Sequence, residues 1–497
     1  MAYYLGIDVG TTNIKAAVYS DIGEVIATTT RITPKILIDN GYMYQADIIF
    51  QNVILCLKEL SVMVGAESIR ALAVSSFAES GLLLEKDGAP LTKTIAWFDT
   101  RSIPQAQKLI RKIGDRRLFD ITGQIPSSKF GITKLMWHME NEPELFEKSA
   151  YWMSVNDYIL YRLSGERVCD YSIAARTMAF DIHNLTWSEE VCSAAGVDTS
   201  MLGSPLPGGT KIGTIRGDIA EKTGLPLETA VVTGGQDHPC AMIGSGALRE
   251  GSMLSSMGTS EVTMFALKEI KGMDKLYKGG YCVEPHCSER LYRAFGSLQA
   301  SGASIEWFLK SIGKPVADMA EASGQDKYAL LGKIAEEHKT DERLMYFPLI
   351  RGSLTNQDAG GLFIGIRDYH ELGDFAKALL DGMCSEFTYQ TETGLEMIGV
   401  GKIDSVQVVG GPSKSAYLMQ RKADISGLTV DVAAKQEAAC YGAALLAAIG
   451  VGELTFKGAV KSGRAYKKEY FPIENGARRL YSKYRDARSL VDSINAI

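Results

Sequence analysis

The sequence contains no Cys-x-x-Cys pair. Its eight cysteines, at positions 56, 169, 192, 240, 282, 287, 384 and 440, stand at no spacing that joins any of the six histidines in a zinc site. They are also far too sparse for a disulfide scaffold, so free thiols in a reducing compartment are expected. No apolar run reaches the roughly 18 residues of a membrane span. The nearest, Ala438 to Val451, is shorter and contains Tyr441, Gly442 and Gly450. The opening MAYYLGIDVG has no basic n-region and runs into a strand pattern, so no signal peptide is expected there. Positive charge is not in excess either. The 53 Lys and Arg against 59 Asp and Glu give a formal charge of −6, which offers no general basic surface to nucleic acid or anionic lipid. A cytoplasmic protein without nucleic-acid or membrane partners is the expectation.

What is present is average for a globular chain. Hydrophobic residues at 46% and charged residues at 23% exclude disorder, collagen-like structure and membrane bundles. The 497 residues suffice for two to four domains and a large core. Strand-like and helix-like segments alternate, the α/β signature. Tyr3 to Val9, Ile14 to Tyr19 and Glu24 to Arg31 read as strands joined by tight turns. Apolar residues from Asp47 to Val64 recur at helical spacing, and Ile69 to Ser75 reads as a buried strand. Helical patterns follow at Ile103 to Ile113, Ile132 to Asn141 and Val155 to Leu163. A second opening of the same grammar starts at Gly251, with strands Gly251 to Met257 and Glu261 to Ala266 joined at Gly258-Thr259-Ser260. The echo suggests two related domains, 1–245 and 246–497.

Four segments carry chemistry. In Asp8-Val9-Gly10-Thr11-Thr12-Asn13-Ile14-Lys15 a hairpin turn exposes successive backbone N–H groups and two hydroxyls, a concavity suited to phosphate oxygens. Lys15 adds a charge on the face of Asn13, and Asp8 at a strand end is placed to hold a hydrated Mg2+. An ordinary ligand-free turn fits the same residues. No G-x-x-x-x-G-K-[ST] loop occurs. In the second segment a strand enters Gly234-Gly235-Gln236-Asp237-His238-Pro239, where Asp237 can accept a proton from a substrate hydroxyl or simply cap a helix. Met257-Gly258-Thr259-Ser260 repeats the phosphate cradle, and Gly302 opens a helix where a backbone can approach a ligand or make an ordinary turn. In the last, a strand ends at Gly410-Gly411-Pro412-Ser413-Lys414-Ser415, the kind of strand-end loop where nucleotides bind. Further on, Glu437, Ala438, Ala439, Gly442, Ala443 and Ala444 form a small-residue helix face suited to close packing.

Taken in order with Trp97-Phe98-Asp99-Thr100-Arg101, these segments resemble the FGGY family of carbohydrate kinases over about residues 3 to 452. The resemblance implies an α/β fold of two ribonuclease-H-like domains, of the sugar kinase, actin and heat-shock chaperone type, with an active site in the cleft between them. It implies that Thr11, Thr12, Asn13 and Lys15 handle the ATP phosphates with Thr259, that Asp8 organises Mg2+, and that Gly302, Glu306, Gly411 and Ser415 line the adenosine and phosphate side. Asp237 matches the catalytic base. Sugar and phosphate binding would then belong to 1–245 and ATP binding to 246–497.

The strand segment Phe77-Ala78-Glu79-Ser80 departs from two patterns within that family. Ala78 stands where glycerol kinases carry arginine, and the Gln-Met-His-Gly run usual in xylulokinases is absent. A polar pocket of Glu79, Asp99, Asp237 and His238, with Phe77 and Trp97 nearby, suits a neutral polyol or ketose such as xylulose better than an aldonate, unless Arg101 enters it. The expected activity is ATP-dependent phosphorylation of a sugar hydroxyl by in-line transfer, with a homodimer left open. The alternative is a nucleotide-binding switch of the actin and chaperone type with a protein partner. The tail from Leu454 to Ile497 is expected to cap the second domain with an amphipathic helix.

Overall fold

A computed structural model describes residues 2–494 apart from 22, 39, 40, 289, 340, 435, 436, 465 and 474. The chain forms two compact units. The first comprises Met1–Leu248, Val283–Arg293 and Glu437–Arg464, and the second Arg249–Cys282, Ala294–Gln436 and Ala465–Ile497. The first unit therefore draws two segments from well beyond residue 245.

Strands β1 (Tyr3–Val9), β2 (Asn13–Ser20), β3 (Val25–Ile32), β4 (Ile69–Ser76), β5 (Lys211–Thr214) and β6 (Ala230–Gln236) make the first sheet, in the order β5-β6-β4-β1-β2-β3. β1 runs antiparallel to β2 and parallel to β4, which in turn is parallel to β6. Helices cover both faces of β1, so it reads as a near-continuous apolar run. Leu5, Ile7 and Val9 point into one core, with Ile49, Val53 and Leu57 of the helix Ala46–Val64. Tyr4 faces the other core, and alternation puts Gly6 and Asp8 on that same side.

The helix Ala438–Gly450 lies on this second face, and glycines let it come close. A Cβ on Gly6 would fall 1.9 Å from the Cys440 carbonyl oxygen. Where it meets the helix Asp237–Gly244, a Cβ on Gly442 would fall 1.8 Å from the carbonyl oxygen of Cys240. The small-residue face of Ala438–Gly450 is thus a packing surface, backbone against backbone.

The second sheet contains β7 (Met253–Met257), β8 (Glu261–Leu267), β9 (Cys282–Pro285), β10 (Tyr292–Leu298), β11 (Ser405–Gly410), β12 (Thr429–Ala433) and β13 (Tyr466–Tyr470), ordered β9-β10-β8-β7-β11-β12-β13. β7 is antiparallel to β8 and parallel to β11, which is parallel to β12. This repeats the pattern around β1. The two hairpin turns also close alike, Gly10 N–H donating to Asn13 O at 2.9 Å and Gly258 N–H to Ser260 O at 2.8 Å. The tail ends in the helix Asn475–Ile494, which packs on the second unit. There Tyr484 donates to Glu386 Oε2 at 2.6 Å and Tyr481 to Glu392 Oε2 at 2.6 Å.

All eight cysteines are buried free thiols. Among the described residues no helix is long and apolar enough to cross a membrane.

Candidate active site

The first unit brings together the turn between β1 and β2, Asp8 and Asp237. Thr33 braces the turn, donating from Oγ1 to Gly10 O at 2.7 Å and from N–H to Thr12 O at 2.9 Å. Among the described residues, no hydrogen bond engages the side chains of Thr11, Thr12 or Asn13. Lys15, opposite Asp8 in the β1–β2 register, reaches 2.5 Å to Glu437 Oε2. Asp8 is buried and accepts a hydrogen bond from Ser75 Oγ at 3.1 Å. Burial, followed by the negative charge of Asp237, pushes its carboxyl up to about 7 against the pull of Ser75 and Lys15.

Asp237 is the first residue of the helix Asp237–Gly244, and Gln236, not Asp237, occupies the cap position. Its Oδ1 accepts from His238 N–H at 2.7 Å and lies 3.4 Å from His238 Nδ1. The Asp237 side chain is 34% exposed, so a ligand can reach it. Desolvation holds His238 below the ordinary histidine range; Asp237 opposes this, while Arg293 and Arg176 reinforce it. The ring is therefore a neutral imidazole, able to donate to or accept from a hydroxyl.

Glu79 sits at the centre of a buried polar network in the same unit. Its backbone is left-handed, with φ of +64°, an arrangement rare for a residue with a side chain. Lys134 Nζ holds that backbone by donating to Glu79 O at 2.8 Å and to Lys129 O at 2.6 Å. Arg176 donates to Glu79 Oε1 from Nε at 2.8 Å and also from Nη2. Its Nη1 reaches Gln124 Oε1 at 2.8 Å and Glu284 Oε2 at 3.4 Å. Glu284 Oε1 in turn takes Arg293 Nε at 2.9 Å, and Arg293 Nη2 also donates to Gln236 Oε1. Burial pushes the Glu284 carboxyl up, but the charges of Arg293 and Arg176, with the hydrogen bonds from Arg293 and Gln124, together hold it below the usual range.

Asp99 and the aromatics are placed differently from expectation. Both Asp99 oxygens bind Arg101, Oδ1 to Nε at 2.9 Å and Oδ2 to Nη2 at 3.0 Å, and Arg101 also lies 5.1 Å over the Trp137 ring. Arg101 is thereby neutralised. Phe77 belongs to the core, 4.8 Å from the Tyr44 ring, because its strand end points inward. Trp97 is partly exposed and packs edge-on against Phe98.

In the second unit a cavity of about 890 Å3 is lined by Thr259, Gly302, Glu306, Gly411 and Ser415 together, a volume within the range of small-molecule sites. Trp307 forms part of its wall, stacked 6.3 Å from Tyr346. Gly302 N–H donates to Gly258 O at 3.0 Å, which draws the helix Gly302–Lys310 against the turn. Glu306 accepts from Lys327 at 2.7 Å and from Tyr328, and these bonds hold its carboxyl below the usual range. Ser415 Oγ caps the helix Ala416–Ser426. A Cβ on Gly411 would meet nothing within 4 Å, so packing does not demand glycine there. Behind the turn, buried Glu261 binds Lys422, Ser255 at 2.6 Å and Ser301 at 3.2 Å.

Comparison with known proteins decides what these sites belong to. The model of the N-terminal domain of the FGGY family of carbohydrate kinases matches residues 3–244, and that of its C-terminal domain residues 253–451. The chain belongs to the FGGY family of carbohydrate kinases. It is 30% identical over 464 residues to the xylulose kinase of Bacillus subtilis, covering 91% of this chain and 89% of that one. It is 26% identical over 482 residues to the gluconokinase of the same organism, covering 96% and 93%. The crystal structure of the xylulose kinase from Rhodospirillum rubrum shares the fold, with a TM-score of 0.90 at 24% identity over 99% of both chains.

For this FGGY kinase, sequence reasoning missed Gln124, Lys134, Arg176, Glu284 and Arg293. The signal present was charge inside otherwise apolar strands, Glu284 in Cys-Val-Glu-Pro and Arg293 in Tyr-Arg-Ala-Phe. Which partners those charges face is set by tertiary structure alone. Among the described residues there is no cluster of three or more His, Cys, Asp or Glu suited to a metal.

Proposed function

We propose that this kinase transfers the γ-phosphoryl group of ATP to a hydroxyl of a ketose, a pentulose such as xylulose, with Asp237 as general base. The observation that carries this reading is the state of the candidate carboxylates. Glu79 is paired with Arg176, Asp99 with Arg101 and Glu437 with Lys15, while Asp8 is buried. Asp237 is reachable, and among the described residues no lysine or arginine pairs with it. A base needs that combination of access and an available lone pair.

The sugar hydroxyl gives its proton to Asp237 as its oxygen attacks the γ-phosphorus; the bond to the bridging oxygen breaks and ADP departs. The turn amides, Thr11, Thr12, Asn13 and Lys15 would meet the phosphates from the first unit. Thr259, Gly302, Glu306, Gly411 and Ser415 would take the nucleotide in the second, which assigns sugar binding to one unit and ATP to the other. Asp8 fits Mg2+, since a hard cation relieves the repulsion between its carboxylate and that of Asp237, and one carboxylate is enough for an ion that keeps its waters. When bound, the ion neutralises charge developing on the phosphates.

The polar network favours a neutral sugar. Arg176, Arg293 and Arg101 each already carry a carboxylate, so an aldonate would find no uncommitted guanidinium among them. His238 and Glu79 remain to bond hydroxyls. ADP release measured against xylulose, ribulose, glycerol and gluconate, with the phosphorylated carbon located by NMR, tests the assignment. Turnover with a ketose, lost by about 10²–10⁴-fold in Asp237→Asn, is expected. A preference for gluconate would overturn the substrate class, and an active Asp237→Asn the base.

A further inference from the structure

We propose that Arg293 is a positioning residue for the base: it clamps the Gln236 side chain and so fixes where the chain turns from β6 into the helix that begins with Asp237. The inference rests on the reading of Asp237 as base.

Gln236 is held at two points. Its backbone N–H donates to Ser172 Oγ at 2.9 Å, and Ser172 is bonded in turn to Asp170. Its side-chain Oε1 accepts from Arg293 Nη2. Both partners are buried, Ser172 and Arg293 each at 0% exposure, so neither bond competes with water. The fixing is needed at this place. β6 shifts register against β4 between Val232 and Gly235, and regular pairing with Ser75 and Ser76 resumes only at Gly235 and Gln236. Such a shift re-aims the residues that follow it, and Gln236, the last paired residue, is where the Arg293 bond meets the chain one residue before Asp237. Asp237 itself makes no bond to a cation that could hold it among the described residues.

Arg293 is in turn held by Glu284, which also takes Arg176, the partner of Glu79. One connected set of buried charges therefore reaches from the sugar-facing carboxylate to the residue before the base. Arg293 stands at the end of this set nearest the base, and Arg176 at the end nearest Glu79. Loss of Arg293 is accordingly expected to act on turnover and loss of Arg176 on sugar affinity.

The test compares Arg293→Gln, Arg293→Lys and Gln236→Met in the full chain, with kcat, both KM values and melting temperature measured for each. Gln236→Met keeps the Arg293–Glu284 pair, so it probes the clamp without stranding a buried charge. A misplacement of the order of 1 Å costs about 100-fold. Arg293→Gln and Gln236→Met should each lower kcat by about that factor with sugar and ATP KM unchanged, and Arg293→Lys should recover part of it. Because the two residues act through one bond, the double variant should be no slower than either single one. Unchanged kcat in Gln236→Met, or effects that multiply in the double variant, would overturn the proposal. If Asp237→Asn is inactive in the same series, the base assignment survives that failure; if Asp237→Asn is active, the base assignment itself is wrong.

Discussion

Lys15 reaches across 2.5 Å to Glu437, joining β2 to the first residue ahead of the helix Ala438–Gly450. Both side chains are substantially exposed, so the pair contributes under about 1 kcal/mol and yields readily to a stronger anion. Glu437→Ala should leave thermal stability almost unaltered while lowering the KM for ATP, because Lys15 no longer has to leave a partner. Lys15→Ala should raise that KM. Steady-state kinetics with a saturating sugar, beside a melting curve, check both.

The buried carboxyls give a pH dependence of definite sign. Asp8, Asp157 and Asp170 are each pushed up to about 7 from 3.8, by burial before any other cause. A carboxyl raised in the folded state binds its proton more tightly there than when unfolded. The stability it contributes is full below about pH 4 and is lost as pH rises through about 7. In the absence of nucleotide and magnesium, Asp8→Asn should melt higher than the parent at pH 8, with the difference vanishing by pH 4. Calorimetry across that window would show it, and an advantage of the variant confined to low pH would contradict the assignment.

Two glycines separate packing from ligand approach. At Gly442 an added methyl would collide with the Cys240 carbonyl, so Gly442→Ala should cost at least the roughly 1–3 kcal/mol of an overpacked core. At Gly411 the added methyl meets open space in the cavity proposed for the nucleotide, so Gly411→Ala should fold normally and raise the KM for ATP. Melting temperature and ATP kinetics on the pair distinguish the two effects.

Asp99 and Glu79 divide in the same way between architecture and binding. With both its oxygens on Arg101, Asp99 has little left for a sugar. Asp99→Asn should lose about 1–3 kcal/mol of stability, since it weakens charge-assisted hydrogen bonds of a partly buried pair, yet keep sugar KM near the parent value. Glu79→Gln also weakens a buried pair, with Arg176, and should cost stability as well, but unlike Asp99→Asn it should raise sugar KM about tenfold, or about 1.4 kcal/mol. Kinetics below the melting point of each variant settle which carboxylate meets the sugar.

Strand and helix positions were legible because periodicity and turn chemistry are local. The helix expected over 155–163 is Val155–Ser164, and the strand expected over 69–75 is Ile69–Ser76. Thr259, Gly302, Glu306, Gly411 and Ser415, read from the sequence as one group, do line a single cavity; all but Glu306, which lies within the helix Gly302–Lys310, stand at a hairpin turn, a helix start or a strand-end loop, where loops converge in an α/β fold. Phe77 was misplaced because its sequence neighbours do not say which face of the strand end is covered. The Arg176–Glu284–Arg293 set lay beyond reach for a related reason: it joins three chain segments, and a single charged residue carries no mark of its partner.

The make-up of the first unit sets a schedule for synthesis. The helix that covers Gly6 on β1 comes from residues 438–450, long after the sheet strands that end at Gln236. At about 5–20 residues per second, the roughly 190 residues between Leu248 and Glu437 take about 10 to 40 s to emerge. Throughout that interval the apolar face that includes Tyr4, Ala71, Ala73 and Val232 lacks this cover on the nascent chain. A ribosome-bound chain stalled before residue 437 should therefore recruit holding chaperones, and release them once the helix has been made.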